Sequence, residues 1–426
     1  MSPQMLTVAK EGPRRHTHIT MHNEYEFTSV HPTARRGFPS LLVIMLGFTF
    51  FSASMWAGAT LGNGLRAPVF LLAVLAGNLL LGTYTGLLAH IASRTGLSTH
   101  LLARRSFGLQ GATLPSLLLG ITQVGWFGVG VAMFALPVGK LFPGIPHLAL
   151  IWIAGACMTL TAFYGIKSLT VLSIIAVPAI AILGATSVIK AFADFGGISA
   201  WLAMEPGNAL TLSAAIGICV GSFISGGTLT PDFTRYARTS RIAVSSTVIA
   251  FLLGNSLMFL FGAVASAFYQ TNDISEALMK QGMIGIAVLV LGLNIWTTND
   301  NALYAASLGF ATVAKRPKRL FVILNGLLGT LFATTAYNHF VPWLNLLNMM
   351  LPSIGAILIL DYFVIRRRNP EAPPATGTQW AAVAAWAVGF AAAKFLPGIP
   401  PLNTLIAASI AYLVLARRLP APPPAL

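Results

Sequence analysis

Eight consecutive residues, Asn294-Ile295-Trp296-Thr297-Thr298-Asn299-Asp300-Asn301, include seven polar side chains if the Trp296 indole is counted. They interrupt an apolar run, from Ile284 to Leu293 before them and from Ala302 to Phe310 after them. In a membrane helix such groups are tolerated where they face a cavity, a ligand or one another. Asn294, Thr297, Thr298 and Asn301 recur at i, i+3, i+4 and i+7, so they share one helical face. Two adjacent hydroxyls with nearby carbonyl oxygens suit a small hard cation. The Asn299 amide, a donor and an acceptor, suits a neutral polar solute. An ion site beside a solute site is the chemistry this pattern predicts.

The composition names the setting. The chain has 426 residues, 56% hydrophobic and 9% charged, with mean hydropathy +0.76. A soluble domain would carry about a quarter charged residues. These values predict an all-α polytopic membrane protein, each span needing roughly 20 apolar residues. Cys157 and Cys219 lie in apolar runs and suggest neither a disulfide framework nor a metal cluster. The first 38 residues are polar and hold no apolar signal-peptide core. His16, His18 and His22 read as part of a solvated tail rather than as metal ligands, and Met21 is an alternative start to Met1.

Residues 1–38 are expected to form a cytoplasmic tail. Twelve apolar spans follow, near 39–62, 68–93, 111–138, 146–166, 168–191, 209–233, 242–268, 282–312, 319–337, 339–365, 378–395 and 399–416. Residues 417–426 form a second short tail, and both termini are expected in the cytoplasm of a bacterial inner membrane. Charge supports this threading. Of 26 Lys and Arg, only Arg66, Lys140, Lys190, Lys280 and Lys394 fall on segments assigned outside. The net charge of +15 therefore needs no nucleic acid to explain it.

Two spans look broken. The first holds Gly47-Phe-Thr-Phe-Phe-Ser-Ala-Ser54, then Gly58 and Gly62; the sixth holds Gly221-Ser-Phe-Ile-Ser-Gly-Gly-Thr-Leu-Thr-Pro231. Such clusters permit unwound turns, although glycines also serve close helix packing. The breaks stand five spans apart, so residues 39–191 and 209–365 would be two five-span units, the second inverted. Matching broken helices in inverted halves point to a transporter binding site. Residues 378–416, the last two spans, fall outside the repeat and are expected to be peripheral.

Four blocks carry a resemblance to a known family: Met45 to Trp56, Thr122 to Phe134, Gly221 to Phe233 and Leu291 to Tyr304. Over about Glu24 to Arg368 the chain resembles the nucleobase-cation-symport family. The resemblance implies the LeuT-like 5+5 inverted-repeat fold and uptake of cytosine coupled to a cation. It implies a base site at Gln123, Trp126, Ser222, Phe223, Gly226 and Asn299. Trp126 and Phe223 would stack on the base, Gln123 and Asn299 would pair with its edge, and Ser222 and Gly226 would offer main-chain groups. Relatives often carry Ala where this chain has Gly226. It further implies a sodium site at the carbonyls of Gly47, Phe50 and Asn294 and the hydroxyls of Thr297 and Thr298, with no other cofactor, in a monomer.

Asp300 leaves the ion open. A carboxylate in mid-span is functional by default, and a proton-coupled permease for uracil, a purine, allantoin or a hydantoin is the alternative. Its direction, about 100° from Asn299, also allows a structural partner on another helix. Asp232 and Asp361, near helix ends, read as solvated or capping. A membrane enzyme would need a metal-ligand set or an activated nucleophile, and a channel a continuous polar stripe or charged ring; the spans suggest neither.

Overall fold

The computed structural model describes residues 28–164, 167–207, 209–367 and 373–416. The three tail histidines, the join between the fourth and fifth spans, and residues 417–426 lie outside the described residues. Among the described residues the regular secondary structure is helical, apart from one bridge between Arg36 and Ala237.

The helices are α1 (Phe38–Thr49), α2 (Ser52–Gly64), α3 (Ala67–Thr95), α4 (Thr99–Gly111), α5 (Thr113–Leu141), α6 (His147–Tyr164) and α7 (Lys167–Phe195). A short α8 (Gly197–Ala203) leads to α9 (Leu212–Gly221), α10 (Ile224–Thr228) and α11 (Thr230–Thr234). Then come α12 (Ser240–Tyr269), α13 (Ile274–Lys280), α14 (Ile284–Ala314), α15 (Lys318–Leu331), α16 (Ala333–Asn338), α17 (Phe340–Ile365), α18 (Trp380–Phe395) and α19 (Pro400–Ala416). Five described helices are long and apolar enough to cross a membrane, six if α1 and α2 count as one span bent by 51°. The 31-residue α14 is not among them, because its polar centre lowers its hydropathy. Leu289, Ile182 and Ile189 on the outside of the bundle are about two-thirds exposed, as suits side chains that meet lipid rather than water.

Both expected breaks are present. Phe50 (φ −75°, ψ 71°) and Phe51 (φ −112°, ψ 125°) leave helical geometry between α1 and α2. The sixth span divides at Phe223 (φ −132°, ψ −2°) and again at Leu229. Gly58 and Gly62 have the other use: a Cβ on either would collide with the backbone of Phe259 or Ala263 in α12. They are packing glycines, and the first break lies upstream of them.

Buried polar pairs lock the frame. Ser54 donates to Asn255 (2.6 Å), whose amide donates to Asn78 (2.8 Å), joining α2, α12 and α3. Asp232 caps α4 by accepting from the Thr99 amide at 2.8 Å. Asp361 differs from expectation. It is 4% exposed and takes bonds from Ser106 (2.9 Å) and Tyr412 (2.8 Å), with the Arg366 guanidinium at 3.1 Å. Its place near a helix end suggested solvent, but α4 and α19 cover it. α18 and α19 are likewise tied to α17, through Trp386 to the Met350 carbonyl (2.8 Å) and Thr404 to the Asn348 carbonyl (3.0 Å).

Candidate functional site

A cavity of about 570 Å³, its open mouth included, lies where the two breaks face α5 and α14. Gln123, Trp126, Ser222, Phe223, Gly226 and Asn299, the six residues of the expected base site, all line it. A mainly apolar wall with a few polar groups suits a small heterocycle. Trp126 comes from α5, Phe223 from the α9–α10 break, and Phe51 touches both, with ring centroids at 5.6 and 6.3 Å. Phe48 meets Phe223 edge-on at 4.9 Å and Phe233 at 4.7 Å.

The polar groups are more committed than their spacing suggested. Gln123 Nε2 donates to Ser225 Oγ at 2.7 Å. Asn299 is 1% exposed; its Nδ2 donates to the Phe127 carbonyl at 3.1 Å and lies 3.1 Å from Met158 Sδ. Its amide therefore braces α14 against α5 and α6 while the residue borders the cavity. Ser222 Oγ donates to the Cys219 carbonyl, so its hydroxyl proton is spent within α9. Gly226 has Phe48 and Phe223 so close that a Cβ there would press on both rings.

Of the expected ion residues, Asn294 reaches across to Phe50 at the α1–α2 break, while Thr297 and Thr298 bond the Asn294 carbonyl on their own helix. Asn294 Nδ2 donates to the Phe50 carbonyl at 2.5 Å. Asn294 Oδ1 accepts from Ser52 N (2.9 Å) and Ser52 Oγ (2.7 Å). Thr297 and Thr298 each donate to the Asn294 carbonyl, at 2.8 and 3.0 Å. Each hydroxyl keeps its oxygen lone pairs, whereas the Asn294 carbonyl already accepts two bonds. Gly47 lies in the last turn of α1, where the helix supplies fewer partners for carbonyls. Neutral carbonyl and hydroxyl oxygens fit a hard monovalent cation. Among the described residues no three His, Cys, Asp or Glu side chains gather as a metal site.

Asp300 points away from these groups. Its Oδ1 accepts from Thr161 in α6 at 3.0 Å, its Oδ2 has no hydrogen-bond partner, and the residue is 1% exposed. The Trp296 indole also donates to Thr161 (2.9 Å) and its ring packs on Phe134.

Sequence reasoning passed over Phe48, Phe51, Phe233 and Asn301 as cavity walls. The signal for Phe48 and Phe51 was present, since both stand in the broken stretch. Ser225 was also missed; its neighbours Gly226 and Gly227 drew attention to backbone and away from its hydroxyl.

Residues 29–415 match the family model described as permease for cytosine/purines, uracil, thiamine and allantoin. The chain belongs to that permease family. It is 50% identical to the cytosine permease of Escherichia coli (strain K12), over 93% of this chain and 95% of that one. It is 25% identical to the hydantoin permease of Microbacterium maritypicum, over 76% and 74%. Among solved structures, this permease superposes on the inward-facing conformation of Mhp1 with a TM-score of 0.82, at 21% identity over 91% of this chain and 92% of that one. Mhp1 is a nucleobase-cation-symport transporter of known fold, so the permease shares that fold. It is a multi-pass membrane transporter homologue rather than an enzyme.

Proposed function

We propose that this permease imports cytosine together with sodium by alternating access. One observation carries the reading: a stacking cavity holding Gln123, Trp126 and Phe223 adjoins a helix break whose carbonyl is bonded by Asn294 of α14. The E. coli relative, half identical along nearly the whole chain, supplies the choice of cytosine. The fold would be twelve spans in a 5+5 inverted repeat plus α18 and α19, working as a monomer in the inner membrane with both termini in the cytoplasm.

In the mechanism, the base enters between the Trp126 and Phe223 rings. Stacking contributes about 1–3 kcal/mol whatever the base. Gln123, Asn299 and the freed backbone near Ser222 and Gly226 then read the ring edge. Sodium at Gly47, Phe50, Asn294, Thr297 and Thr298 would hold the α1–α2 break against α14. Because the two sites share those elements, each ligand raises affinity for the other. On the proposed topology Leu229, Phe233, Ala302 and Ala305 extend the cavity toward the cytoplasm. On the opposite side Trp56 bonds Tyr337 (3.3 Å), which bonds Asp273 (3.2 Å), closing the outer path. The break at Leu351–Pro352 is where α17 could bend to reopen it.

Asp300, buried with one hydroxyl partner, favours a second reading, coupling to protons. Purified protein in liposomes separates the two. Accumulation of labelled cytosine driven by a sodium gradient at equal pH supports sodium coupling. Accumulation driven by a pH gradient in choline would replace sodium with the proton. Accumulation of uracil, adenine, hypoxanthine or allantoin but not cytosine would overturn the substrate.

A further inference from the structure

We propose that Ser225, with Thr122 behind it, is a positioning residue that holds the Gln123 amide in one orientation and thereby selects an amino-bearing base edge. The proposal rests on the reading of Gln123 as a contact to the base. Thr122 Oγ1 donates to the Leu119 carbonyl at 2.9 Å. A threonine hydroxyl has one proton, and either hydroxyl could donate in the 2.9 Å contact between Thr122 Oγ1 and Ser225 Oγ; only the arrangement in which Ser225 donates keeps the Thr122–Leu119 bond as well. Ser225 Oγ is then left as an acceptor, and the group facing it at 2.7 Å must be the Gln123 NH2. The chain runs in one direction: Gln123 N–H to Ser225 O–H to Thr122 O–H to Leu119 C=O. Turning the amide over would take the Ser225 proton for Gln123 Oε1 and lose one bond. Ser225 is fully buried and Thr122 1% exposed, so water does not replace that bond.

The consequence is an ordered pair of groups on the cavity wall. Gln123 Oε1 has no protein partner and the second Nε2 hydrogen is unspent. At a fixed ring pose, the acceptor receives an exocyclic amine and the adjacent hydrogen meets a ring nitrogen lone pair. That order matches cytosine. Uracil in the same pose sets its carbonyl against Oε1 and its ring N–H against Nε2–H. Sites that leave buried polar groups mismatched in this way discriminate strongly.

The measurement is equilibrium binding of cytosine and of uracil to the purified permease in sodium. In Ser225→Ala the amide is free to turn, and the cytosine-over-uracil affinity ratio is expected to fall at least about tenfold. Ser225→Thr, which keeps a hydroxyl, is expected to keep the ratio. Thr122→Val removes the second relay member without touching the cavity wall and is expected to lower the ratio in the same direction; it also serves if Ser225→Ala does not fold. An unchanged ratio in whichever of Ser225→Ala and Thr122→Val folds overturns the proposal. Gln123→Ala separates the two levels. If it leaves cytosine affinity intact, the base-site reading fails; if it abolishes binding while the relay variants keep the ratio, only the positioning role fails.

Discussion

The Asn294 side chain bonds the Phe50 carbonyl with its nitrogen, at 2.5 Å, and takes two bonds from Ser52 with its oxygen. One amide thus satisfies the unpaired backbone on both sides of the α1–α2 break. An unwound turn inside a membrane protein persists only when such groups find partners.

Asn294→Ala keeps the main-chain carbonyl but removes both links. Each buried group left unpaired costs about 1–3 kcal/mol. A clear fall in melting temperature of the detergent-solubilised protein is expected, and an unchanged value would show that the break holds without α14.

Thr297→Ala should remove the sodium dependence of cytosine binding. The comparison is cytosine affinity in sodium against choline, for the variant and the parent. Sodium stimulation of equal size in both would exclude the Thr297 hydroxyl as an ion ligand.

Trp126→Ala should weaken cytosine and uracil alike, because stacking ignores edge chemistry; the loss expected is about 1–3 kcal/mol for each base. Asn299→Ala should lower both cytosine affinity and thermal stability, since its amide also bonds the Phe127 carbonyl. Calorimetry with the two bases, alongside thermal melting, distinguishes these outcomes.

Asp361→Ala removes the buried carboxylate that Ser106, Tyr412 and the largely covered Arg366 share, and losing one partner of a buried pair costs up to about 3–5 kcal/mol. The variant should melt far below the parent, or fail to accumulate in the membrane. Asp361→Asn, which can still accept from Ser106 or Tyr412, should be the milder of the two.

Asp300→Asn retains an acceptor for Thr161 and cannot release a proton. Sodium-driven cytosine uptake in liposomes should survive this change. Its abolition in a folded, cytosine-binding variant would move the coupling from sodium to Asp300.

The two breaks were legible because clusters of Gly, Ser and Thr in an apolar run permit an unwound turn, although Gly58 and Gly62 beside the first break serve packing against α12 instead. The site was legible as a set of elements: polar residues on α14, Gln123 and Trp126 on α5, and the two breaks, and these do border one cavity. Spacing could not say which way each side chain turns. Asn299 and Asp300 are neighbours in the sequence, yet both side chains engage α6, through Met158 and Thr161. Asp361 looked solvated because nothing in its own segment announces Ser106 or Tyr412, which lie 255 and 51 residues away.

By itself the sequence determined the class of molecule, the two breaks and the inventory of polar groups, because those follow from local composition and from the cost of burying polar atoms in lipid. Tertiary structure alone decided how each polar group spends its hydrogen bonds. Asn294 serves the break, Ser225 orients Gln123, and Asp300 turns from the cavity to Thr161. The reason is physical: a hydroxyl or amide has few protons and lone pairs, and only packed neighbours determine where they go.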